Sequence, residues 1–155
     1  MTSTTAANGW ELSIERHIAA PPAAVWRVWT ERLEEWWAPK PWTTRVIARD
    51  LRPGGRSAMI MSGPDGDTPP MEGVFLEVVP ERSIVFTNAF SVGWIPQAPF
   101  MVGFFTFTPD GEGTLYRAGA RHWNEDAMRG HEAMGFIEGW STAAAQLAQL
   151  AEAAA

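Results

Sequence analysis

The chain has 155 residues, a formal net charge of −6 from 12 basic and 18 acidic side chains, and no cysteine. That length favours one domain and can bury a core without covalent staples. Missing thiols exclude disulfides and thiolate metal sites and agree with a cytoplasmic setting, and scattered basic residues on an acidic chain argue against nucleic acid.

Residues 1–9 are polar, with neither a basic region nor an apolar run, so a disordered tail and no signal peptide are expected. No apolar stretch approaches the ~20 residues of a membrane span, and no membrane association is expected. From Trp10 to Ile18 apolar and polar residues alternate, the period of a half-buried strand. Pro21-Pro22 then opens a short helix, with Pro22 suited to its first position and Val25 and Trp29 on one face. A second short helix is expected over about 31–36. It stops before Ala38-Pro39-Lys40-Pro41, because proline lacks the N–H and clashes with the preceding turn.

From 42 to 123 the pattern is strands and turns. Arg52-Pro53-Gly54-Gly55 suits a type II turn, and Gly63-Pro64-Asp65-Gly66, Val79-Pro80-Glu81-Arg82 and Pro109-Asp110-Gly111 mark further turns. Strands are expected near 43–50, 56–62, 71–79, 82–89, 100–108 and 114–123, with 90–99 a longer loop carrying Trp94 and Ile95. Asn124 is a good helix N-cap, and Glu125 and Asp126 suit the positive end of the helix dipole. One helix is expected over about 125–152. Gly130, Gly135 and Gly139 fall inside it, each costing about 1 kcal/mol relative to alanine. The expected reason is close approach of the helix to the sheet or to a ligand.

The resulting order is strand, two short helices, six strands and one long helix. It predicts an α+β domain over residues 10–152, with a curved seven-stranded antiparallel sheet wrapped around the C-terminal helix. A cavity between sheet and helix follows. Nine Trp, eight Phe and seven Met supply apolar walls, against a single Tyr. Met59, Met61, Met71, Met101 and Met134 are candidates for a deformable lining. The expected ligand-binding residues are Trp42, Met61, Phe75, Phe86, Phe105, Tyr116, His122, Met134 and Glu138.

Several strings in this order resemble the START-like, polyketide-cyclase-like helix-grip superfamily, in the branch related to the activator of the heat-shock-protein-90 ATPase. They are Val25-Trp26 with Trp29-Thr30, Trp36-Trp37-Ala38-Pro39, Asp50-Leu51-Arg52-Pro53-Gly54-Gly55-Arg56, Gly73 with Val79-Pro80-Glu81, and His122-Trp123. The last are His131, Met134-Gly135-Phe136 and Glu138-Gly139-Trp140. The resemblance spans about residues 10–150 and implies the helix-grip fold. Its members include carriers, cyclases and hydrolase-like enzymes, so it does not fix an activity. The additional N-terminal domain of the eukaryotic activators has no counterpart in these 155 residues.

Three functions follow. The first is binding of a hydrophobic, aromatic or polyketide-like small molecule between sheet and helix. The second is a cyclase- or hydrolase-like enzyme, with His122 as acid–base and Tyr116 or Glu138 assisting. The third is a protein-interaction module using Trp94 and Ile95. His122, His131 and Glu138 together could hold a metal, but no tight ligand spacing is present and none is expected. No nucleophile elbow or phosphate-cradling loop appears, so no cofactor is expected. A monomer or a homodimer fits the chain equally.

Overall fold

The computed structural model describes residues 9–154, so residues 1–8 of the expected tail lie outside the described residues. Strand β1 (Glu11–Ile18) leads through Pro21 into α1 (Pro22–Glu31) and α2 (Leu33–Trp36). The sheet continues with β2 (Thr43–Arg49), β3 (Arg56–Gly63), the two-residue β4 (Gly66–Asp67), β5 (Met71–Val79) and β6 (Ser83–Thr87). A small hairpin, β7 (Phe90–Ser91) and β8 (Ile95–Pro96), precedes β9 (Val102–Asp110) and β10 (Gly113–Arg121). Two helices close the chain, α3 (Glu125–Ala133) and α4 (Phe136–Ala154).

The expected seven strands lie in the order β1-β10-β9-β6-β5-β3-β2, all neighbours antiparallel, with β4 paired to β3 as an eighth short strand. The first and last strands in chain order lie side by side, because β1 pairs with β10. The register aligns Ile14, Ala118, Phe105, Ile84 and Val78 as one row across five strands. This row faces the helices, and its first four members are buried. The predicted type II turn forms, with Gly54 at φ 80° and the Gly55 N–H donating to the Arg52 carbonyl at 2.8 Å.

Helix α1 buries Val25, Val28 and Trp29, as the four-residue spacing requires. Helix α4 buries Phe136, Ala143, Ala144, Leu147, Ala148 and Ala151, and packs on β1, α1 and α2. Polar side chains complete the docking. The Gln146 amide N–H donates to the carbonyls of Trp36 and Ala38, both at 2.9 Å, and its oxygen accepts from the Lys40 N–H at 3.0 Å. Glu152 accepts from the Ala19 N–H at 2.9 Å. On the opposite face of the sheet, the buried Glu11 is held by Arg117 and Arg121, whose guanidinium groups lie over the Phe104 ring.

Two expectations are corrected. The C-terminal helix is not continuous: it breaks at Met134-Gly135, where Gly135 adopts φ 91°. A left-handed residue just past a helix end is a standard terminator, favoured when that residue is glycine. The Asn124 cap forms as expected, its side chain accepting from the Ala127 N–H at 2.8 Å. The second correction concerns the glycines. A β-carbon at Gly130, Gly135 or Gly139 would meet nothing within 4 Å, so close packing does not explain them. Close approach occurs in the sheet instead. A β-carbon on Gly73 would lie 2.4 Å from the Thr87 carbonyl oxygen, and one on Gly103 would lie 2.4 Å from the Phe86 ring.

These environments set opposite signs for one substitution. Gly73→Ala meets backbone that has nowhere to move and is expected to destabilise by about 1–3 kcal/mol. Gly130→Ala, inside a helix and in open space, is expected to stabilise by about 0.5–1 kcal/mol. Urea denaturation of both variants checks the pair, and similar midpoints would contradict this assignment of the glycines.

Candidate functional site

The concave side of the sheet and the two C-terminal helices enclose a cavity of about 300 Å³. Its sheet wall holds Met61, Met71, Phe105, Tyr116 and Ala118; its helix wall holds His131, Phe136, Gly139, Trp140 and Ala143. Trp36, Trp37 and Pro39 close one end, while Phe100, Met101, Met134 and Gly135 border it elsewhere. No Asp, Glu, Lys or Arg lines it. A second cavity of about 400 Å³ adjoins it, sharing Trp37, Met71, Phe100 and Met101. Half of that shared partition is methionine, whose flexible side chain adapts its shape readily.

The aromatic walls are ordered. Phe105 is parallel to Phe86, at 6.0 Å and 9°, and to Trp140, at 5.8 Å and 5°. Trp140 stacks in turn on Phe136 at 4.3 Å. Gly103 permits the start of this column by leaving space under the Phe86 ring. Trp29 meets Phe105 edge-on at 5.0 Å and packs against Trp36 and Trp37, which fixes the closed end.

Few polar groups enter. Tyr116 is 1% exposed, and its hydroxyl accepts from the Trp29 indole N–H at 3.3 Å. Burial pushes its phenol well above the usual tyrosine range, and the Trp29 bond opposes this more weakly. The hydroxyl's own hydrogen meets no acceptor among the described residues. His131, also buried, approaches His122 with Nδ1 at 2.9 Å from Nε2. His122 in turn places Nδ1 3.0 Å from the Trp10 carbonyl oxygen. Phe100, Phe136 and Trp140 surround the His131 ring. Burial, and secondarily the neighbouring His122, lower the His131 pKa to about 4.

The expected site residues divide. Met61, Phe105, Tyr116 and Met134 lie on the main cavity, and Phe86 lines the adjoining one. His122 stands behind His131 and is not part of either wall. Phe75 is buried in the core, in a strand whose pairing with β6 shifts between Phe75 and Glu77. Trp42 lies across Gly63 and is 37% exposed. Glu138 is exposed on α4, because the break at Gly135 removes the helical phase that would have set it beside His131. Trp94 and Ile95 occupy the β7–β8 hairpin, 58% and 60% exposed, and line neither cavity.

Phe100 and Asn88 escaped the sequence reading. The Asn88 side chain accepts from the Phe100 and Met101 N–H groups at 2.8 and 3.2 Å, and so fixes the loop that borders both cavities. The usable signal was a polar amide just past a strand, facing an apolar pair twelve residues on.

The His131 environment has a consequence for stability. An unfolded histidine titrates near 6.5, whereas the native ring resists protonation until about 4. Between these values the unfolded chain binds a proton that the native chain does not. Stability due to this group is therefore present above about pH 6.5 and is lost as pH falls toward 4. Thermal unfolding across this range should show a steeper loss of Tm for the wild type than for His131→Asn. Parallel curves would mean that the native ring titrates normally.

Comparison with known proteins matches this architecture. Residues 19–152 match the family described as Activator of Hsp90 ATPase homolog 1-like protein. A Nitrosomonas europaea protein of known crystal structure is 39% identical with a TM-score of 0.84, over 91% of this chain and 93% of that one. A Mycobacterium smegmatis protein is 28% identical with a TM-score of 0.80, over 97% and 95% of the two chains. A Silicibacter pomeroyi protein described as AHSA1, at 21% identity and a TM-score of 0.67 over 90% and 95%, shares the fold. No protein with a curated description matches. With the family match running from the end of β1 to the last turns of α4, this chain belongs to the activator of Hsp90 ATPase homolog 1-like branch of the START-like helix-grip superfamily.

Proposed function

We propose that the chain, as a single domain over residues 10–152, reversibly binds a neutral, apolar, ring-containing small molecule in the cavity between the sheet and the C-terminal helices. The observation that carries this reading is the wall chemistry: parallel aromatic faces and methionines, no charged side chain among the described residues, and few hydrogen-bonding groups, chiefly Tyr116, His131 and the indole N–H of Trp36. A volume of about 300 Å³ lies at the small end of ligand pockets. Missing charge disfavours ionic ligands, which would lose hydration without a compensating partner. Met71 and Met101, which separate the two cavities, offer a route to larger ligands by rotamer change.

The enzyme reading built on His122 draws no support from the geometry. That ring lies behind His131, with both nitrogens placed against other groups. Missing cysteine supports a cytoplasmic setting, as a monomer or homodimer, and no helix among the described residues is long and apolar enough to cross a membrane.

Gly139 provides the test. It lines the cavity, and a β-carbon there meets nothing within 4 Å. Gly139→Leu therefore directs an apolar side chain into ligand space and replaces a poor helix former with a good one, a propensity gain of about 0.5–1 kcal/mol. A panel of fused-ring and polyketide-like compounds, titrated by tryptophan fluorescence, should bind the wild type. Gly139→Leu should weaken binding at least ~10-fold, equivalent to about 1.4 kcal/mol, with Tm unchanged or raised. Undiminished binding in this well-folded variant would place the site elsewhere.

A further inference from the structure

We infer that the cavity selects a ligand bearing an aromatic or enolic hydroxyl, which donates its hydrogen to Nε2 of His131, and that His122 and the Trp10 carbonyl fix His131 in the tautomer that accepts it. This rests on the binding reading above and names the chemistry of its ligand.

The hydrogen-bond order follows from the groups at its start. The Trp10 carbonyl oxygen can only accept, so His122 Nδ1, 3.0 Å away, carries a hydrogen. The same carbonyl accepts the His122 backbone N–H at 3.0 Å, which fixes the ring's position as well as its tautomer. In a neutral His122 the other nitrogen, Nε2, is then a lone pair. His131 Nδ1 lies 2.9 Å from it and must be the donor. A neutral His131 with its hydrogen on Nδ1 leaves Nε2 as an acceptor. For an uncharged pair this is the one arrangement that satisfies both bonds.

The ring that carries this acceptor is on the cavity wall. Among the described residues no group hydrogen-bonds to Nε2 of His131. Tyr116, on the facing sheet wall, has the complementary vacancy, a hydroxyl hydrogen with no acceptor among the described residues. One acceptor on His131, with donors on Tyr116 and on the unpartnered Trp36 indole, in a mostly apolar space match a hydroxyl, which both gives and receives a hydrogen bond. The parallel faces of Phe105 and Trp140 favour a flat ring as its carrier. A carboxylate or phosphate would face a lone pair with no cation on the wall, and an ammonium would find no carboxylate there. Both are disfavoured on the same ground.

The probes are 2-naphthol, 2-methoxynaphthalene and naphthalene, which share a ring system and differ in the hydroxyl. They are titrated at neutral pH against the full chain and against His131→Asn, whose amide N–H can reproduce the bond to His122 but offers nothing at the Nε2 position. The wild type should bind 2-naphthol ~10-fold or more tightly than 2-methoxynaphthalene, the scale of one buried hydrogen bond. In His131→Asn the two should agree within about twofold, as expected when the single hydrogen bond that distinguishes them is removed. In the wild type alone, long-range 1H–15N correlation of the imidazoles should show His131 protonated at Nδ1, with the Nε2 resonance moving on addition of 2-naphthol. This measurement does not depend on the variant folding. Naphthalene binding without preference for the hydroxyl would overturn the inference and leave the apolar pocket standing. A preference that survives in His131→Asn would assign the acceptor to another group, and a wild-type His131 protonated at Nε2 would remove the acceptor; either overturns it. Failure of all three probes to bind would overturn the pocket and the inference together.

Discussion

The site depends on how one helix changes character along its length. The C-terminal half of α4 presents Ala143, Ala144, Ala148 and Ala151 with Leu147, and these small side chains let the backbone lie close to β1 and α1. Its first turns present Phe136, Gly139 and Trp140, which border empty space. A curled sheet meeting such a helix closes tightly at one end and stands open at the other. The alanine stripe anchors the helix, and the aromatic end spans the gap. Gln146 lies between these regions and binds three backbone groups at the end of α2 and in the segment after it, which holds Trp36 and Trp37 at the closed end of the cavity.

The cavity walls are mostly apolar, and the atoms that face it lack the dispersion contacts of a packed interior. Phe86, Phe105 and Trp140 are parallel and Phe136 stacks on Trp140 at 29°, a series that runs from sheet to helix and gives those walls flat faces. The partition of Met71, Met101, Phe100 and Trp37 is softer. Rigid aromatic faces orient a ring, while a methionine-rich partition tolerates variation in its substituents.

Against that apolar background the two histidines stand out. His131 is held neutral by burial and by its neighbour, and it shares a hydrogen with His122. Buried polar networks specify geometry when every member is satisfied. Here the chain from the Trp10 carbonyl through His122 to His131 is satisfied up to its last atom, and that atom belongs to a ring on the cavity wall. This links the residues that flank the paired strands β1 and β10 to the cavity wall.

The fold was legible because its signals are local. Alternation gave the strands, Pro22 and Asn124 marked helix starts, and Pro-Gly pairs marked turns. The same patterns placed Tyr116 and Ala118 on one face of β10, where both reach the cavity. What they did not supply is phase across a break. Helical spacing put Glu138 with His131, but one left-handed glycine at 135 resets the phase, and glycine is equally compatible with continuing a helix or ending it. Parity held for Phe75, which lies opposite Phe86 on the helix-facing side of the sheet, but it is packed into the core away from both cavities, a position along the strand that alternation does not encode. The apolar, helix-gripped character of the chain was thus determined by composition and periodicity. That His122 meets the Trp10 carbonyl and His131 meets His122 was decided only when residues 10, 122 and 131 came together in three dimensions, since a hydrogen bond depends on separation and angle that no sequence pattern encodes.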